Sequence, residues 1–141
     1  MKNDSALEQA LYAMEQFKHQ VENLSRQRQV VMMSMEEHMR ARLTLSEYGK
    51  SSDGHELLVP VGANTFLFAR AARPDKVLIG IGGDVVIEDT AAGASEKLDS
   101  TIKLLEEADR RIAGRIIELE NQIMVLNAEV ERGMAASGGK R

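Results

Sequence analysis

Cysteine and tryptophan are absent from this 141-residue chain, proline occurs twice, and three Phe and two Tyr are its whole aromatic complement. Without cysteine there can be no disulfide and no thiolate metal site, which suits a reducing cytosol without requiring it. So few aromatic rings leave little mass for a compact globular core. No apolar run approaches the length that spans a bilayer, and the opening Lys2-Asn3-Asp4-Ser5 lacks the apolar stretch of a signal peptide. A soluble, untargeted, cytoplasmic protein with no membrane partner is therefore expected. The 18 basic and 22 acidic residues are interspersed and give a net charge of −4, so no basic footprint for nucleic acid is present. What remains is eight Met with abundant Leu, Ile, Val, Glu, Arg and Lys, a mixture that suits long helices.

The strongest pattern lies in the last third. Leu98, Ile102, Leu105, Ile112, Ile116, Leu119, Ile123, Leu126 and Val130 alternate steps of four and three residues, interrupted only by Asp109. A seam repeating every 3.5 residues over more than four heptads specifies a coiled coil, which needs a partner helix. Residues 5–48 supply one. Ser5-Ala6-Leu7-Glu8 has the form of a capping box, and a seam follows through Leu7, Ala10, Met14, Phe17, Val21, Leu24, Val31, Met35 and Leu45. Arg28, His38 and Arg42 fall at seam positions of this arm. Arg28 and Asp109 read as devices that fix alignment at some cost in stability. The helix is expected to stop at the turn-forming run Gly49-Lys50-Ser51-Ser52-Asp53-Gly54.

Between Leu57 and Asp89 the period changes to two. Leu57–Val61, Thr65–Ala69, Lys76–Ile81 and Asp84–Asp89 read as four short strands in two hairpins. Gly82-Gly83 is taken as a two-residue turn with positive φ at both positions. Pro60 lacks an N–H for a strand ladder, so it is expected at an edge or a bulge. Helix resumes between Thr90 and Ser95, either of which could cap it, and is drawn over 93–132. The tail 133–141 is expected to be flexible. Gly114 inside this helix asks for either close helix approach or local flexibility. The arms are of similar length, which favours an antiparallel hairpin with Leu45 near Leu98, Phe17 near Leu126 and both chain ends at one tip. The fold class expected is α+β, a long antiparallel coiled-coil hairpin with two β-hairpins inserted, as a single domain over 1–141.

The run Glu56-Leu57-Leu58-Val59-Pro60-Val61-Gly62-Ala63-Asn64-Thr65-Phe66, followed by Val77-Leu78-Ile79-Gly80-Ile81-Gly82-Gly83-Asp84-Val85-Val86-Ile87, resembles that of prefoldin subunits. Two hairpins between long helices resemble the archaeal alpha class more than the beta class. The resemblance implies a hexamer of two alpha-class and four beta-class subunits, with hairpins from all six forming a β-barrel platform. It also implies an ATP-independent holdase that binds non-native polypeptides at the coiled-coil tips and passes them to a group II chaperonin.

Two sets of residues carry these expectations. Leu11, Tyr12, Met124 and Val125 off the seam, with Leu7, Met14, Phe17, Leu126, Val130 and Met134 on or near it, are the candidate client-binding set at the tip. Val59, Val61, Phe66, Phe68, Val77, Ile79, Ile81, Val85 and Ile87 are the candidate subunit interface, because so small an insert cannot cover both of its own faces. Chemistry is expected nowhere. Gly80-Ile81-Gly82-Gly83 leads into a strand rather than a helix, unlike a phosphate loop. Glu36-Glu37-His38, His55-Glu56 and His19 lack metalloprotease spacing, so no metal and no cofactor are expected. No nucleophilic triad can be drawn, and the chain is read as a non-enzyme. The alternative reading is a structural coiled-coil adaptor without client-holding activity.

Overall fold

The computed structural model describes residues 2–138. Helix α1 spans Lys2–Lys50, strands β1 to β4 span Glu56–Gly62, Thr65–Arg70, Val77–Gly82 and Val85–Asp89, and helix α2 spans Ala91–Gly138. By their internal packing the residues group into two compact units, Met1–Met33 with Leu105–Arg141 and Ser34–Leu104.

In each unit the seam residues turn inward. Every apolar residue of the two seams is buried or half-buried, and so are the polar seam residues Arg28, His38, Arg42 and Asp109. In the first unit Leu119 is the largest fully buried side chain, accompanied by buried Met14 and Val130. The helices there run antiparallel. Arg28 on α1 donates to Asp109 on α2 at 2.7 Å, and a Cβ on Gly133 would sit 3.5 Å from Leu7 Cδ1. The same order holds in the second unit, where Arg42 donates to Asp99 at 2.5 Å. There Gly49 faces Ala91 so closely that a Cβ would approach the alanine methyl at 3.1 Å.

The start of α1 and the end of α2 differ from expectation. Helix α1 begins at Lys2, so Ser5 sits inside it and not at its cap. Helix α2 continues through Gly138 past the expected stop at Arg132, because no proline or turn sequence interrupts it there. Residues 139–141 of the expected tail lie outside the described residues. At the other end Thr90 is the cap, its hydroxyl accepting from the Gly93 N–H at 3.0 Å. Around Gly114 a Cβ would meet nothing within 4 Å, so close helix approach is not the reason for that glycine.

The hairpins share one construction. β1 pairs antiparallel with β2, and β3 with β4, each register skipping one residue just before the turn. Val61 and Ile81 are left unpaired by those skips. The glycine that follows each bulge takes a positive φ, 106° at Gly62 and 110° at Gly82. The turns proper are Ala63-Asn64 and Gly83-Asp84, with all four φ values between 49° and 61°. Both central residues in the left-handed region is the geometry whose twist matches the flanking strands. The second turn thus lies one residue beyond the expected Gly82-Gly83, because the bulge at Ile81 leaves Gly82 paired with Val85 as the end of β3. Asp84 accepts the left-handed conformation that most side chains avoid.

The bulges place Pro60 opposite Phe66 and next to the register shift, in a two-stranded sheet where both strands are edges. On the first hairpin Leu58, Pro60, Phe66 and Phe68 share one face, while Val59 opposes Leu67 on the other. Apolar residues therefore occupy both faces of the first hairpin. In the second hairpin Val77, Ile79 and Ile87 are half-covered, whereas Leu78 and Val86 on the opposite face are exposed.

Candidate functional site

Two apolar surfaces stand out, one in each unit. At the end of the first unit where Leu7 meets Gly133, the expected client-binding residues separate by exposure. Leu11, Tyr12, Met124, Val125 and Met134 are exposed, with Tyr12 at 68% and Met124 at 70%. Leu7, Phe17 and Leu126 are half-buried. Met14, at 8%, and Val130 are buried in the seam. Helical geometry explains the division. Steps of three and four keep the seam residues on the inner stripe, and Leu11, Tyr12, Met124 and Val125 fall between those steps. Phe17 and Leu126 do come together, lining with Ala13, Asn121, Gln122 and Val125 a groove of about 470 Å³.

Charge surrounds this end on the outside. Among the described residues of this end Asp4, Glu8, Glu15, Glu22, Glu120, Glu129 and Glu131 are exposed alongside Lys18 and Arg132, while Glu118 pairs with exposed Arg115 at 3.0 Å. Val30, Met32, Met33 and Ile117 in the same unit are exposed too and were not singled out. Their signal was the one that marked Leu11 and Tyr12, an apolar residue off the seam.

In the second unit most of the exposed apolar surface lies on the hairpins, with Met39, Leu43 and Leu104 exposed on the helices. Val59, Val61, Phe66, Phe68, Ile81 and Val85 are exposed, Phe68 to 79%, and Val77, Ile79 and Ile87 are half-buried. Leu58, Leu67, Leu78 and Val86 belong with them, because both faces are uncovered. Two grooves flank the hairpins. One of about 490 Å³ lies between Val77–Gly80 and the helical residues Ala41, Leu45, Ala94 and Leu98. The other, of about 580 Å³, lies between Leu57–Pro60 and Leu43, Glu47 and Tyr48.

Ion pairs join α1 to α2 within each unit, Arg28 to Asp109 in the first and Arg42 to Asp99 in the second. Arg28 and Asp109, flagged separately in the sequence, are each other's partners. Replacing either alone leaves a half-buried charge unpaired and is expected to lower Tm, whereas R28L/D109L is expected to melt at or above the parent. Circular-dichroism melts of the three variants check this.

At the start of α2, Asp89 accepts from Lys97 Nζ and from the Thr90 N–H, the latter at 2.7 Å. A Cβ on Gly93 would collide with that carboxylate, so glycine is required there. The Lys97 bond, then the Thr90 bond, holds the Asp89 carboxyl below its ordinary value of 3.8. A depressed folded-state pKa contributes stability that is fully present above the unfolded value and lost as pH falls through the folded one. Denaturant titrations below pH 4 are thus expected to show a steeper stability loss in the parent than in D89N.

Among the described residues no group of three or more His, Asp or Glu side chains could hold a metal ion, and no helix is long and apolar enough to cross a membrane.

Two long helices flanking two antiparallel β-hairpins, seam inward and hairpins uncovered, define a coiled-coil hairpin subunit of the α+β class. A family model for prefoldin subunits matches residues 17–135. The chain belongs to the prefoldin family, and membership implies a chaperone role. It is 30% identical over 104 residues to prefoldin subunit alpha of Methanothrix thermoacetophila, covering 74% of this chain and 68% of that protein. With the same subunit of Thermofilum pendens it shares 31% over 110 residues, 78% of this chain and 82% of the relative. With that of Methanoregula boonei the match is 26% over 137 residues, 97% of this chain and 89% of the relative. Filamentous PFD from Methanocaldococcus jannaschii, solved by cryo-electron microscopy, has the same fold, with a TM-score of 0.71. At 24% identity the superposition covers 84% of this chain and 98% of that one.

Proposed function

We propose that the chain is a holdase subunit that captures non-native polypeptides at the tips of its coiled coil, without ATP. The observation that carries this reading is the split at the terminal end of the first unit. Two helices whose seam is already satisfied still present Leu11, Tyr12, Met124, Val125 and Met134 to water. Covering one such side chain gains roughly 1.5–3 kcal/mol, too little for tight binding and enough for reversible contact. Methionine suits irregular partners because its thioether side chain is unbranched and flexible. Several arms on one client multiply weak contacts into useful avidity. The surrounding carboxylates repel the like-charged ends of other arms and keep them apart between clients.

The hairpins supply the assembly. In this reading they join beta-class subunits in a hexamer of two alpha and four beta chains, with a shared β-barrel platform in the cytoplasm. Uncovered edges and apolar residues on both faces support it, because a two-stranded sheet is marginal by itself. The captured chain passes to a group II chaperonin, and no reaction is catalysed. Dilution of a denatured test protein, followed by light scattering with and without the reconstituted assembly, tests the proposal. Suppressed scattering supports a holdase, and unchanged scattering with an intact assembly leaves a structural adaptor.

A further inference from the structure

We propose that Met124 and Met134 are sulfoxidation sites at which a peroxide switches off polypeptide capture, an inference that rests on the capture reading above. The chain contains no cysteine and no tryptophan, so its thioethers are the side chains most readily oxidised. Their exposure differs sharply at the end in question. Met124 and Met134 stand open to solvent, while Met14 in the same unit is buried in the seam. Oxidant therefore reaches the two contact residues and spares the one that holds the helices together.

The chemistry balances with hydrogen peroxide alone. The sulfur lone pair attacks one peroxide oxygen, the O–O bond breaks, and the second oxygen leaves as water after proton transfer. Sulfur loses two electrons to the peroxide and becomes a sulfoxide. A flexible apolar side chain is thereby replaced by a strongly polar one, whose oxygen must shed water to enter an apolar contact. Two of the five exposed apolar residues at this end change character, and Leu11, Tyr12 and Val125 do not. Because both methionines lie outside the seam, their oxidation leaves the helix pair intact.

The test treats the reconstituted assembly with hydrogen peroxide, locates sulfoxides by peptide mass mapping, and measures light-scattering suppression before and after. Met124 and Met134 are expected to oxidise well ahead of Met14. The concentration of assembly giving half suppression is expected to rise about tenfold and to recover on treatment with methionine sulfoxide reductase. Measured against its own untreated value, M124L/M134L is expected to lose no capture on the same treatment, although exposed Met32, Met33 and Met39 are oxidised. Unchanged capture with both positions fully oxidised overturns the inference, and so does an equal loss in M124L/M134L. An untreated, intact assembly that suppresses no scattering overturns the capture reading itself, and this inference with it.

Discussion

Replacing Leu11, Tyr12, Met124, Val125 and Met134 together with serine is expected to raise at least tenfold the concentration of assembly that holds a denatured protein in solution. All five side chains already face water. Their removal takes away little packing, chiefly that of half-covered Leu11 and of Val125 beside Phe17 and Leu126, and substitutions at exposed sites usually change stability by about 0.5 kcal/mol or less each. Binding loses far more. Each residue covered by a client contributes roughly 1.5–3 kcal/mol at full burial, and the loss repeats on every engaged arm. The informative pair of measurements is half-suppression concentration and helix content by circular dichroism. The first should shift strongly while the second stays within error. A set of five serines that leaves suppression unchanged places capture elsewhere, with Val30, Met33 and Ile117 the next exposed residues to replace.

The second large effect concerns the hairpins. F68D/L78D is expected to abolish higher assembly while leaving each chain helical and individually folded. Phe68 and Leu78 are 79% and 74% exposed in the isolated subunit, so a carboxylate at either position stays hydrated until a partner covers it. At that moment an unpaired charge must be desolvated, which costs several kcal/mol and weakens association by at least about a hundredfold. Ile79 is a poorer probe, because it is half-covered within its own chain by the groove it lines with Leu45 and Leu98. Native mass spectrometry with beta-class subunits reads the result directly. Full assembly of the double variant removes the hairpins from the interface.

The α2 seam was legible in the sequence because burial there follows a fixed step, and all ten of its positions from Leu98 to Val130, Asp109 included, turned inward. The hairpins were legible for the same kind of reason, alternation bounded by glycine and asparagine or aspartate. What escaped was set by contacts between distant segments. That Arg28 and Asp109 form one pair follows only once two antiparallel helices are aligned, since 81 residues separate them. A bulge cannot be read from alternation alone, so the second turn fell one residue from its expected place. The helix ends were missed because Lys2 to Asp4 and Gly133 to Gly138 carry no strong stop signal, and a weakly favoured helix simply continues. At the candidate site the seam step already set Met124 off the seam and Met14 on it; that the coil is closed there, burying Met14, required the packed helices.

Site-specific photo-crosslinking tests the central claim most directly. The cross-linking amino acid is placed at Tyr12 in one assembly and at Leu104 in another, two positions of similar exposure in different units. Mixed with a denatured client and illuminated, the Tyr12 probe is expected to give abundant covalent adducts and the Leu104 probe few. Adducts at Leu104 with none at Tyr12 would contradict the account.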